Sequence, residues 1–155
     1  TAITEIYTLS LHDALPIFSE LPGHSVIGSY VRIHSKVMLS ENNLIEDYVW
    51  IFPFVVLANV KYPPIGKFQK TTIKQFAQIF SHAIILPGIT IGTTSIIGAG
   101  SLVTKDVGDE RLVVGNQGKD VKSVRDIKDE NGNNVYPWKE HLTVYRGYPW
   151  QKPTM

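Results

Sequence analysis

The chain has 155 residues, 43% of them apolar, a formal net charge of +1 and no cysteine. That is enough for one domain with a substantial core, and near-neutrality argues against nucleic acid as the main partner. The lack of cysteine excludes disulfides, thiolate metal sites and a Cys nucleophile, and it fits a reducing, cytoplasmic setting. The longest apolar stretch, near Val49–Val60, is broken by Pro53 and Asn59 and falls well short of the roughly 20 residues that span a bilayer, so no membrane insertion is expected.

The opening residues, TEIYTLSLHDALPI over Thr4–Ile17, carry no basic leader and only scattered leucines, so they do not read as a signal peptide. The string resembles a translated sequencing adapter. Residues 1–17 are therefore set aside as a probable non-native segment, with His12 and Asp13 given no role.

From there a six-residue period organises the chain. Leu21, Ile27, Ile33, Leu39, Ile45, Ile51 and Leu57 form one run, and Ile73, Ile79, Ile85, Ile91, Ile97 and Val103 a second. The fifth residue of each block is mostly small or aliphatic, as at Val31, Val49, Ala77, Ala83, Ser95 and Ser101. A period of six fits neither a helix nor an ordinary strand, whereas hexapeptide repeats mark a parallel β-helix. Three short strands close a triangular coil of 18 residues, and stacked coils bury an aliphatic column that no single repeat could bury alone.

The two runs are out of phase. Pro63–Thr72 (PPIGKFQKTT) is an excursion whose prolines and glycine suit an external loop, and insertions in solenoids commonly carry binding residues. After Val107 the period stops. Arg111–Lys119 (RLVVGNQGK) reads as a closing segment with a Gly-Asn turn, and Asp120–Lys128 as a short helix, from Val121, Val124 and Ile127 spaced by three. The tail, Val135–Met155, contains Tyr136, Trp138, Tyr145, Tyr148 and Trp150 and is expected to pack on the solenoid or on a neighbouring subunit. The domain reading is thus 1–17, a β-helix at 18–119 with loop 63–72, and a helix and tail at 120–155. Trp50 and Phe52 lie outside the inward slots and are expected at a subunit interface, the alternative being a stack on a sugar or base.

The block IGTTSIIGAGSLVTKDV, followed by VVGNQGK, resembles the C-terminal signature of hexapeptide-repeat acyltransferases. The resemblance implies an all-β fold, a parallel left-handed β-helix solenoid with a short C-terminal helix and an irregular aromatic tail. It also implies a homotrimer using acyl-coenzyme A. Upstream, IEDYVWIFPFVVLANVKYPP is similar to the segment before the active site of nucleotide-amino-sugar N-acetyltransferases. The implied activity is acetylation of the amino group of a nucleotide-linked amino sugar in surface-polysaccharide biosynthesis, with acetyl-coenzyme A as donor and no metal. Three departures stand out. Gln117-Gly118 replaces the usual Pro-Ala, Phe80-Ser81-His82 replaces Gly-Ala-Asn, and Pro64 stands where an Arg often follows the loop proline.

The resemblance puts Asn59 at the acceptor amine, oriented by its amide. His82, in an outward slot, is the candidate base, because a neutral imidazole can take a proton near pH 7. Glu46, Asp47, Tyr62 and His34 are substrate-binding candidates, Glu46 and Asp47 reading equally as a polar turn. Gly98, Ala99 and Gly100 would let a pantetheine arm approach the backbone, with Lys105 and Lys119 meeting its phosphates as point charges. Successive histidines are separated by 12, 10, 48 and 59 residues, so no local pair suggests a zinc anhydrase. The alternatives are a sugar O-acetyltransferase, which would depend more on His82, and a non-catalytic interaction module.

Overall fold

The structure, a computed structural model, describes Ser19, residues 23–62 and residues 67–151. The first expected slot, Leu21, lies outside the described residues, as do residues 1–17 and the loop tip at 63–66. Twelve two-residue strands wind into a parallel solenoid of three faces. Face 1 holds β1 (Val26–Ile27), β4 (Leu44–Ile45), β7 (Thr72–Ile73) and β10 (Thr90–Ile91). Face 2 holds β2 (Arg32–Ile33), β5 (Trp50–Ile51), β8 (Gln78–Ile79) and β11 (Ile96–Ile97), and face 3 holds β3 (Met38–Leu39), β6 (Val56–Leu57), β9 (Ile84–Ile85) and β12 (Leu102–Val103). With the segments that follow, this makes about five turns and agrees with the expected left-handed β-helix.

The period explains the packing. Every described slot from Ile27 to Val103 is buried, at 5% exposure or less. In each strand the second residue points in and the first points out. The fifth position closes the core from each corner: Val31, Val37, Val49, Val55, Ala77 and Ala83 are all buried there. Coil–coil register is in-line, Ile27 on Ile45 on Ile73 on Ile91, so like residues stack through the prism.

Each corner turns through one residue of positive φ. Tyr30, Lys36, Asn42, Tyr48, Phe54, Phe76, His82 and Thr94 all lie between 56° and 65°. Left-handed geometry is costly for residues with a Cβ, and the surrounding ladder holds it in place. Because every corner has the same conformation, its side chains stack from coil to coil. Tyr30, Tyr48 and Phe76 form one column at 5.2 and 4.8 Å, and His34, Phe52 and Phe80 another at 5.1 and 4.6 Å.

At corner 1–2 acidic residues cap turns of neighbouring coils, Asp47 and Asp109 the coil before and Glu46 the coil after. The Ser29 N–H donates to Asp47 Oδ1 at 2.7 Å, the Gln75 N–H to Glu46 Oε2 at 3.0 Å, and the Thr93 N–H to Asp109 Oδ1 at 2.8 Å. Gly28 makes room for the first of these, since a Cβ there would stand 2.6 Å from the Asp47 nitrogen.

The C-terminal part departs from expectation. Residues 119–123 are not helical. β13 (Arg111–Val114) adds to face 2 beside β11, and β14 (Lys119–Ser123) folds back antiparallel on β13. Only Val124–Asp126 turns, as a single 3₁₀ turn. The physical reason is the free edge of β13: a two-sided polar segment joins that ladder, and Asp120 pairs with Arg111 across it at 2.7 Å. The short α-helix, α1, is instead Trp138–His141, within the aromatic tail.

The tail lies on face 2 of its own chain. The Trp138 Nε1–H donates to the Phe76 carbonyl at 2.9 Å, and the Trp50 Nε1–H to Tyr148 Oη at 3.1 Å. Trp50 is therefore covered by its own tail rather than waiting for a subunit interface, and Phe52 is taken into the His34–Phe80 column. Arg125 fixes the tail further, bridging Glu110 at 2.7 Å and Glu140 at 3.3 Å.

Candidate functional site

The expected site residues fall on three different corners. Glu46 and Asp47 stand on corner 1–2, where their carboxylates are occupied by turn N–H groups. Their place agrees with the polar-turn alternative and separates them from the other candidates.

Corner 2–3 collects His34, His82, Gly98, Ala99 and Gly100, with the Phe52–Phe54 coil between His34 and His82. The Gly100 N–H donates to the Ser81 carbonyl at 2.9 Å, which sets the glycine turn directly on the His82 turn. The His82 imidazole is exposed and stacks on Phe54 at 4.7 Å. His34 is half-buried on Phe52, and burial, then Arg32, holds its pKa below the ordinary 6.5. It is thus neutral at pH 7. Lys119, exposed, follows the 115–118 turn, whose Gly118 N–H donates to the Leu102 carbonyl over the same corner at 2.6 Å.

The glycines divide by role. A Cβ at Gly98 would meet Val114 Cγ1 at 2.7 Å, so its smallness serves packing within the chain. Gly100 has φ of +68° and nothing within 4 Å of where a Cβ would stand, and Ala99 beside it is exposed. These two leave an open approach to the backbone, with the exposed Lys119 after the neighbouring turn.

Corner 3–1 holds Asn59 and Lys105. The excursion leaves the solenoid here: the Gln69 N–H donates to the Asn59 carbonyl at 2.7 Å, Val60 bridges Phe68 antiparallel, and Thr71 is already buried in the resumed register. Tyr62, 66% exposed, lies on the outgoing arm with the Lys61 ammonium 5.5 Å from its ring. Asn59 and His82 therefore occupy opposite edges of face 3. At about 3.3 Å per residue, a face of some five residues keeps them roughly 15 Å apart within one chain.

An apolar depression of about 290 Å³ opens on face 2 next to Gly98 and Ala99. Its walls are Phe80, Ile96, Leu112, Ile127 and Tyr136, with Lys122 at the rim. Burial raises the Tyr136 phenol above its usual 10. Sequence reasoning missed this feature. Ile96 and Leu112 were legible as outward apolar neighbours of core slots. Ile127 and Tyr136 come from the refolded C-terminal segment and carried no such signal. Among the described residues no group of three His, Cys, Asp or Glu side chains could hold a metal ion, and no helix is long and apolar enough to cross a membrane.

No family model matches the chain. A chloramphenicol acetyltransferase of Agrobacterium fabrum is 35% identical over 108 residues, covering 63% of this chain and 50% of that protein. The galactoside O-acetyltransferase of Escherichia coli is 31% identical over 123 residues, covering 69% and 61%. The homologues and structural neighbours support the hexapeptide-repeat acetyltransferase superfamily. The chain spans about half to three-fifths of the length of these curated relatives. In fold it matches a hexapeptide-repeat acetyltransferase of Vibrio cholerae, solved with acetyl-coenzyme A, with a TM-score of 0.63 at 23% identity over 68% of this chain and 63% of that one.

Proposed function

We propose that the chain is an acetyl-coenzyme A-dependent acetyltransferase acting on the amino group of a nucleotide-linked amino sugar. The observation that carries the reading is the meeting of His82 with Ala99 and Gly100 on corner 2–3: a candidate base stands one coil from a backbone edge open to the donor. The donor supplies a thioester whose carbonyl the acceptor amine attacks, forming the C–N bond as the C–S bond breaks. In this reading His82 takes the amine proton and returns it to the departing sulfur, a contribution of about 10²–10⁴ in rate. The Asn59 amide orients the acceptor nitrogen, and Lys119 and Lys105 meet phosphates.

Asn59 and His82 cannot serve one acceptor from opposite edges of the same face. A homotrimer answers this by setting corner 2–3 of one subunit beside corner 3–1 of the next. Face 3 suits such packing, because its outward row is Met38, Val56, Ile84 and Leu102, with Met38 47% and Ile84 41% exposed. Surface-polysaccharide synthesis in the cytoplasm is the setting this activity implies.

A second reading, O-acetylation of a sugar hydroxyl, is favoured by the galactoside O-acetyltransferase relative and would lean harder on His82. The test is acetyl-coenzyme A turnover with amino-nucleotide sugars against a galactoside, in the wild type, Asn59→Ala and His82→Gln. Turnover on the amino sugar that falls at least tenfold in both variants, with the fold intact, supports the first reading. Turnover on the galactoside alone, lost in His82→Gln and kept in Asn59→Ala, selects the second. Full activity in both variants removes these residues from the chemistry.

A further inference from the structure

We infer that the depression beside Gly98 and Ala99 is an acyl-chain site, so that the chain binds donors longer than acetyl. This rests on the acyl-coenzyme A reading above and assigns the acyl class to that same site.

The walls decide the chemistry. Phe80, Ile96, Leu112, Ile127 and Tyr136 present carbon, and the one cation, Lys122, stands at the rim with its ammonium 3.3 Å from the Asp126 carbonyl. A saccharide needs polar partners for its hydroxyls, and the lining offers almost none, so the space suits an apolar group. At about 290 Å³ and open to solvent, it offers an apolar groove along which an extended chain could lie.

Position points to the donor rather than the acceptor. Ala99 lines the depression and also belongs, with Gly100, to the stretch of corner 2–3 left open. Phe80, at the same register position as Gly98 on the neighbouring coil, is two residues from His82. The Phe80 ring is fixed by its stack on Phe52, parallel within 5° at 4.6 Å, and Ile96 is only 4% exposed, so both walls are preformed. A chain turning in at Ala99 would lay its methylenes along this apolar floor, and each methylene strengthens binding by up to about fourfold as its burial approaches completion.

The experiment is calorimetric titration of the whole chain with acetyl-coenzyme A and with hexanoyl-coenzyme A, repeated for Leu112→Phe and Ile127→Phe. Both substitutions fill the depression and lie outside the candidate catalytic and coenzyme residues; two are used in case one fails to fold. We expect hexanoyl-coenzyme A to bind at least tenfold tighter than acetyl-coenzyme A. Either variant should erase that advantage while acetyl-coenzyme A binding stays within twofold. Equal affinity of the wild type for the two donors overturns the acyl-chain site and leaves the coenzyme reading standing, as does an advantage that survives in the folded variants. Failure of the folded wild type to bind either donor overturns the coenzyme reading and this assignment with it.

Discussion

Replacing Asp47 separates a structural carboxylate from a substrate-binding one. Asp47 Oδ1 accepts the Ser29 N–H at 2.7 Å across one coil step, and Gly28 gives it the space. Asp47→Ala leaves that half-buried backbone donor without its acceptor, at a cost of about 1–3 kcal/mol. Taking about 2 kcal/mol, and about 2–4 °C per kcal/mol for a chain of this size, the melting midpoint should fall by roughly 4–8 °C. Asp47→Asn keeps an acceptor oxygen and loses only the charge, so it should cost less than about 1 kcal/mol. Urea and thermal unfolding followed by circular dichroism read both values, with acceptor KM measured on the same preparations. The reasoning is refuted if Asp47→Ala unfolds within about 0.5 kcal/mol of wild type while acceptor KM rises tenfold, because the carboxylate would then belong to the substrate.

Gly92→Ala should destabilise by about 3 kcal/mol, since the new Cβ meets fixed backbone of the next coil, 2.5 Å from the Asp109 nitrogen. Gly132→Ala, in open space at φ +83°, should cost only about 1–2 kcal/mol, and urea midpoints of the two variants check the contrast. The depressed His34 pKa means that the unfolded chain binds a proton before the folded one does. Its contribution is therefore complete above pH 6.5 and lost as pH falls from there toward the lowered folded value. A pH series of unfolding midpoints should lose that part of its slope in His34→Gln. Trp138→Ala removes a side chain only 7% exposed and its bond to Phe76, typically worth about 3–5 kcal/mol. Limited proteolysis should then cut the tail near Lys139 and Arg146 while the solenoid survives, and an uncut tail would show that face 2 does not depend on this anchor.

Much of the fold was legible because a solenoid writes its contacts into local order. Ile45 touches Ile27 and Ile73 through neighbouring coils of one short repeat, so the period of six alone named the buried slots. The interruption was equally readable, since a phase shift requires residues added to or removed from the repeat, and the prolines and glycine of the segment mark a loop. The same period also carries the division of the candidates among corners: Asp47, His82 and Asn59 follow strands of faces 1, 2 and 3 respectively. Candidate roles taken from residue type ignored that arithmetic and gathered them into one site.

The C-terminal segment was not legible. Val121, Val124 and Ile127 spaced by three suit a helix, but the open edge of β13 outweighs that weak local preference, and Arg111 holds Asp120 in the ladder. The register of the aromatic tail was likewise invisible, because Trp138 and Tyr148 meet Phe76 and Trp50 across sequence separations of 62 and 98 residues. Sequence by itself determined what repeats: the β-helix, its core and the place of its loop, because each of those contacts recurs at a fixed short interval. Only the tertiary structure decided what occurs once: the hairpin at 111–123, the tail on face 2 and the apolar depression that they complete, because those surfaces exist only after the coils have stacked.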